Sequence, residues 1–286
     1  MSMTASAADF DAAQARLHAW RSRRPQVSEW AALEAILGLD EFLVRTRQPP
    51  FGRWLQGISV EPSLHEIDRC LRDAFRRDCA TMARWYGPPW DATLGRLAAA
   101  VDLPLLAQTL RGEPTSAAML ADARWRAIYD APAEQRFAVA TQLGETLAAP
   151  APDADLFEFW IRSWLASLPR GGDAARDGFV NLARAAGAYR ALGAAEPRGA
   201  ASTAPIAERL AQLFRRHAGT PVAMACELAA IVLDLHRLRS GLVRRALARG
   251  LGIATMAATA IAMSRMAPTP VMACVGETAS RMGPPV

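Results

Sequence analysis

Apolar residues along this chain recur at steps of three and four, the period of a helix with one buried face. The run from Pro62 to Tyr86 is the clearest case. Leu64, Ile67, Leu71, Ala74, Met82 and Trp85 share a face there, with Phe75 and Cys79 beside them. Pro62 suits a first turn, and Gly87-Pro88-Pro89 ends the segment. The same reading predicts helices over Ala7–Arg21, Ser28–Leu37, Asp91–Leu110 with a bend before Pro104, Thr115–Tyr129 and Pro132–Leu147. It continues with Asp153–Leu168, Asp173–Leu192, Pro205–His217, Pro221–Arg249 and Leu251–Arg265. Ser28 is expected to be a half-formed cap, and Asp153 and Asp173 full N-caps. Alternating runs rich in Val, Ile and Thr are missing, so the fold class is all-α: an array of packed helical hairpins or modules, solenoid-like in kind. The Ala/Pro stretch Leu147–Asp153 reads as a hinge. The expected division is an N-terminal module over 1–148, a C-terminal module over 153–265 and a flexible tail over 266–286. Gly193–Pro205 reads as a mobile loop.

Composition narrows the chemistry. The 286 residues are 51% apolar, enough for a sizeable core, and all 33 basic residues are arginine. Without lysine there is no P-loop lysine and no Schiff base. The net charge of +5 is concentrated at one end: seven arginines oppose only Glu277 beyond His236, and the rest of the chain is near neutral. Such an end is expected to dock on an acidic partner, the plain alternative being a solvated arginine face. Arg237, Arg239, Arg244 and Arg245 are its candidate contact residues. A nucleic-acid role is not expected, because no basic stripe carries interleaved aromatics.

Candidate sites are few. The four histidines are scattered, the four cysteines form no C-x-x-C pair, and no nucleophile elbow or phosphate loop occurs. No catalytic residue, metal site or cofactor is therefore expected. The cysteines read as free thiols, which fits a cytoplasmic protein. The 13 apolar residues from Leu251 to Met263 fall short of the ~20 a membrane helix needs. Trp160 and Trp164, four apart, make an aromatic ridge that is either core or an interaction surface. Glu227 and Asp234 interrupt the apolar run Val222–Leu235 and are the best carboxylates for a buried site.

Three segments carry a resemblance to a known family. Arg45-Thr46-Arg47-Gln48-Pro49-Pro50-Phe51-Gly52-Arg53-Trp54-Leu55 is similar to a threonine, small gap, aromatic-x-x-x-Leu element. His65–Trp85 resembles the acid-led, arginine-rich helix that follows it. Asp102–Gly112 resembles an Asp-x-x-Asn-Leu…Leu-Arg-Gly helix, with Pro104 or Leu105 where Asn is usual. The family is the C/d subunit of V-type and archaeal-type rotary ATPases, and the likeness covers about residues 10 to 115. A second Asp-x-x-Asn segment is missing and the chain is shorter than typical. The resemblance implies an all-helical, non-catalytic protein that joins a central stalk to a membrane rotor ring, with other protein subunits as its partners. It also implies peripheral attachment to the membrane through that complex. The expected function is therefore a non-enzymatic helical adaptor. The alternatives are a helical enzyme or ligand-binding protein whose site is lined by Glu227, Asp234, Trp160 and Trp164, or an assembly chaperone.

Overall fold

The computed structural model describes residues 7–113, 120, 122–142, 155–169, 173–195 and 200–265. Helix dominates, and no strand occurs among the described residues. The elements are α1 (Ala7–Arg21), α2 (Val27–Ala35), α3 (Leu39–Thr46), a 3-10 turn at Gly52–Trp54, α4 (Leu64–Ala83) and α5 (Trp90–Gly95). A second 3-10 stretch (Arg96–Asp102) leads into α6 (Leu103–Leu110), followed by α7 (Ala123–Asp130), α8 (Arg136–Gln142) and α9 (Leu156–Ala166). Three long helices follow: α10 (Asp173–Ala195), α11 (Ala200–Arg216) and α12 (Pro221–Arg265).

Local chemistry sets several of these boundaries. Ser63 caps α4 by accepting the Glu66 N–H at 3.1 Å, and the Glu66 carboxylate accepts the Ser59 N–H at 2.7 Å. Asp155 caps α9, accepting from Phe157 and Glu158. The cap expected at Asp153 lies outside the described residues, as do the expected hinge 147–153, residues 114–119 and 121, and the tail 266–286. Ser28 is not the cap of α2: Gln26 is, and its N–H donates to Glu29 at 2.7 Å.

The structure corrects the sequence reading at four other places. Helix α3 was not expected, yet Leu39, Phe42, Leu43 and Thr46 are all buried at i, i+3, i+4, i+7. The eight residues of α3 are too few for periodicity to stand out. The expected helix Asp91–Leu110 is three elements, because Pro104 lacks an N–H for a continuous ladder and instead opens α6. The stretch read as a loop is helical to Ala195 and again from Ala200, so Pro205 sits inside α11; an alanine-rich sequence keeps its helix propensity whatever its low complexity. Gly250 does not break α12.

One core of buried apolar residues joins both halves of the chain, with Trp54, Tyr86, Phe42, Phe51 and Phe179 its largest enclosed side chains. The compact unit ends at Ala246, and α12 continues into a second unit from Leu247. The N-terminal helices and α12 pack closely at Gly241, where an added Cβ would lie 2.8 Å from Cζ of buried Phe42. Gly241→Ala is expected to overpack this contact and lower stability by about 1–3 kcal/mol, read as a lower urea midpoint at unchanged m-value.

Candidate functional site

Helix α12 has two working faces. Residues 227 and 234 are seven apart, two helical turns, and so lie one above the other. Ala225, Leu228, Val232 and His236 lie on a different stripe, as residues three and four apart do. The first face meets the N-terminal helices and the second lines a recess.

The recess has a volume of about 1180 Å³. Its walls come from α6 (Pro104, Ala107, Leu110), α8 (Phe137), α9 (Phe157, Trp160, Ile161, Trp164), α10 (Leu182, Ala186, Tyr189), α11 (Ile206, Leu210) and α12 (Leu228, Val232, Leu233, His236). Apart from α8, which supplies Phe137 alone, each of these helices supplies residues three or four apart, so the recess is the meeting point of several apolar stripes. Trp160 and Trp164 do share one helix face, and both are buried, at 6% and 3% exposure. Their rings stack in parallel, centroids 6.1 Å apart with 4° between planes. The Trp164 indole N–H donates to the Thr93 carbonyl at 3.0 Å, and its ring meets Phe179 edge-on at 5.1 Å. Both rings line the recess, and Trp164 is in addition anchored in the core through Thr93 and Phe179.

Polar groups line the recess at Tyr189 and His236, at Asp155 and Arg190, and at Arg111 and Glu134. The Tyr189 hydroxyl is hydrogen-bonded to Nδ1 of His236, and their rings stack at 5.5 Å. At the edge, Arg190 binds Asp155 through both guanidinium nitrogens and lies 5.2 Å over the Phe157 ring. The Arg190 hydrogen bond holds the Asp155 carboxyl below the usual range. Sequence reading missed Tyr189, His236, Asp155 and Arg190, because nothing in spacing brings α9, α10 and α12 together. The only available signal was the register of α12, which puts His236 at the end of the stripe begun by Ala225.

Glu227 and Asp234 do not line this recess. Glu227 is fully buried, 3.3 Å from Arg21 and 3.6 Å from Arg24. Asp234 accepts from Nε of Arg24 at 2.7 Å. The same Arg24 donates to the Ala230 carbonyl at 3.3 Å, so one side chain spans two turns of α12. Burial pushes both carboxyls above their ordinary range. Burial opposes the charge on Arg24, but Asp234 and Glu227 outweigh it and raise its pKa. This is a buried clasp between the end of α1 and α12, and it separates the carboxylates from the tryptophans with which they were expected to share a site.

The basic face is largely engaged within the molecule. Arg237 binds Glu34 through two nitrogens at 2.6 and 2.8 Å and lies 4.6 Å over the Trp30 ring. Arg239 binds Asp68 at 2.6 and 3.2 Å. Arg245 is buried, donates to the Ile36 and Glu34 carbonyls at 2.8 and 3.0 Å, and lies 4.0 Å over Phe42. It thereby closes the C-terminal end of α2. Arg244 is exposed. Arg245→Ala is expected to cost about 2–4 kcal/mol, since it strips carbonyl partners and ring packing together. Arg239→Ala, on a half-exposed pair, should cost under about 1 kcal/mol. Thermal melts of the two variants side by side check the ranking.

Among the described residues no group of three or more His, Cys, Asp or Glu is placed to hold a metal ion. Cys79 and Cys226 are buried thiols pushed up to about 12 by burial, and neither is poised as a nucleophile. No helix among the described residues is long and apolar enough to cross a membrane. No family model, curated protein or solved structure matches this chain.

Proposed function

We propose that the protein is a helical adaptor that receives the apolar end of a partner's helix in the recess between α6, α9, α10 and α12. The recess volume carries this reading. A helix about 10 Å across rising 1.5 Å per residue fills on the order of 120 Å³ per residue, so about 1180 Å³ takes roughly ten residues, close to three turns. The wall is rich in aromatic rings, with Phe137, Phe157 and Trp160 presented together, the residue type that dominates binding energy at interfaces. The resemblance over residues 10–115 supports a specific version: the connector between the central stalk and the membrane rotor ring of a V-type rotary ATPase, with the stalk's helical tip as the occupant.

Ala229→Arg and Leu233→Arg test this, because both residues line the recess and are only partly buried. Each variant should keep its helical circular dichroism and melt within about 4 °C of the parent, the shift expected for ~1 kcal/mol. Each should lose the stalk subunits that co-purify with the parent from the native host. Retention of those subunits by both variants would move the interface elsewhere.

A second reading is favoured by the Tyr189–His236 pair. Small-molecule sites are largely apolar with a few placed polar groups, and this pair is such a group. Under that reading the recess holds a lipophilic ligand with one hydrogen-bonding end. Native mass spectrometry of the purified chain distinguishes the two: an added small-molecule mass displaced by His236→Ala supports the ligand, and its absence alongside captured stalk subunits supports the adaptor.

A further inference from the structure

The recess has a direction, and three helices fix it. At one end the Trp164 ring of α9 meets Phe179 of α10 edge-on. There α10 also abuts α12, since a Cβ added at Gly178 would lie 2.9 Å from both methyls of Val222. At the other end Arg190 of α10 binds Asp155 at the start of α9, and the Tyr189 hydroxyl bonds His236 of α12. Helices α10 and α12 therefore run the same way along the recess, and α9 runs against them. Burial follows this axis. Trp164, Leu182, Ala225 and Leu228 form a buried apolar floor. Tyr189 and His236 are half-buried, and Asp155 and Arg190 are exposed at the mouth. Ten helical steps separate Phe179 from Tyr189, so the floor lies about 15 Å below the mouth at 1.5 Å per residue. An extended chain advances roughly 1.2 Å per bond, so about twelve bonds reach the floor. At about 30 Å³ per non-hydrogen atom, water's share of its liquid, the recess of about 1180 Å³ holds on the order of 40 atoms. One chain of that length fills only about a third of it.

We propose that the recess takes an uncharged lipid, tail first: a broad hydrocarbon body of two or three chains or fused rings, with a hydroxyl or carbonyl head at the Tyr189–His236 pair. This rests on the ligand reading of the recess and adds the ligand's class and its direction of entry. The direction comes from the floor. The Trp164 N–H is already given to the Thr93 carbonyl, so a polar group carried that deep loses its water and gains no partner there. The class comes from the charges. The charged side chains lining the recess, Arg111, Glu134, Asp155 and Arg190, cancel two against two. Arg190 is already held by Asp155 and Arg111 by Glu113. An anionic head therefore finds no spare arginine among the described lining residues, and it must break an ion pair to enter.

Isothermal titration of the full chain at neutral pH tests both parts, with every probe kept below its aggregation concentration. Dioctanoylglycerol and dioctanoyl phosphatidate share one hydrocarbon body and differ in head charge. The glycerol lipid is expected to bind about tenfold tighter or more. Dodecanol should likewise bind about tenfold tighter or more than the dodecane diol with a hydroxyl at each end, because the second hydroxyl is stranded at the floor. From decanol to dodecanol each CH₂ should tighten binding about fourfold. Ala225→Leu raises the floor and should abolish that gain. Phosphatidate binding as tightly as the glycerol lipid would leave a ligand site but overturn its class. Equal affinities for alcohol and diol would overturn its direction. An unchanged gain per CH₂ in Ala225→Leu would take the lipid out of the recess. Uptake of none of these probes would remove the ligand reading itself, and this inference with it.

Discussion

Replacing Arg24 by Met is expected to lower stability by about 3–5 kcal/mol, the cost of leaving buried carboxylates without their cation. Among the described residues, Arg24 alone pairs with both carboxylates of the α12 clasp, reaching Asp234 at 2.7 Å and Glu227 at 3.6 Å. Glu227→Gln should cost far less at neutral pH, because the buried site already disfavours the charged form. The pH dependence follows from the same direction. Glu227 and Asp234 bind protons more tightly folded than unfolded, where carboxyls titrate near 4.5 and 3.8. Their contribution is fully present below those values and is lost as pH rises through their raised folded pKa. Glu34 and Asp155 act oppositely: hydrogen bonds from Arg237 and Arg190 lower their pKa, so their contribution is present above the ordinary value and lost as pH falls through the depressed one. Urea midpoints measured from pH 4 to 8 should therefore decline less steeply toward high pH in Glu227→Gln than in the parent. Identical slopes in the two proteins would contradict the raised carboxyl.

Trp164→Ala is expected to be comparably severe, about 3–5 kcal/mol. The indole is 3% exposed, touches Phe179 edge-on at 5.1 Å and donates to the Thr93 carbonyl at 3.0 Å. Its loss opens a cavity and strands a carbonyl that ties α5 to α9. Trp160→Ala should cost less stability, since that ring packs on Phe157 and Trp164 along the recess wall and does not make the tie to Thr93; under the proposed adaptor function it should also weaken binding. Calorimetric melting of both variants, alone and with the captured partner, reads the split. Equal losses of stability with binding untouched would place both rings wholly in the core.

The helices were legible because each is amphipathic or alanine-rich over enough residues for its period to register. In α4, of the apolar positions named from spacing alone, Ile67, Leu71, Ala74 and Met82 are buried, Trp85 is half-buried just past the helix, and Leu64 in the first turn is exposed. The tryptophan pair was legible as a shared face for the same reason. Helix α3 was not, at eight residues, and neither was the continuity of α11 and α12 across Pro205 and Gly250. A single proline or glycine signals a break locally, but neighbouring helix propensity can outweigh it.

What the sequence determined by itself was class and periphery: all-α, arginine as the only cation, carboxylates at 227 and 234 inside an apolar run, and a basic stretch after His236. Only the tertiary structure decided what those charges meet. Arg24 and Asp234 are 210 residues apart, and Arg237 and Glu34 are 203 apart. Helix periodicity fixes which residues share a face, because it depends on a few neighbours along the chain. It says nothing of which other face lies opposite, because that depends on how all the helices fill one core at once. Of Arg237, Arg239, Arg244 and Arg245, a row of cations in the sequence, three are therefore engaged within the fold. The recess likewise exists only where residues from several helices converge, and no one helix announces it.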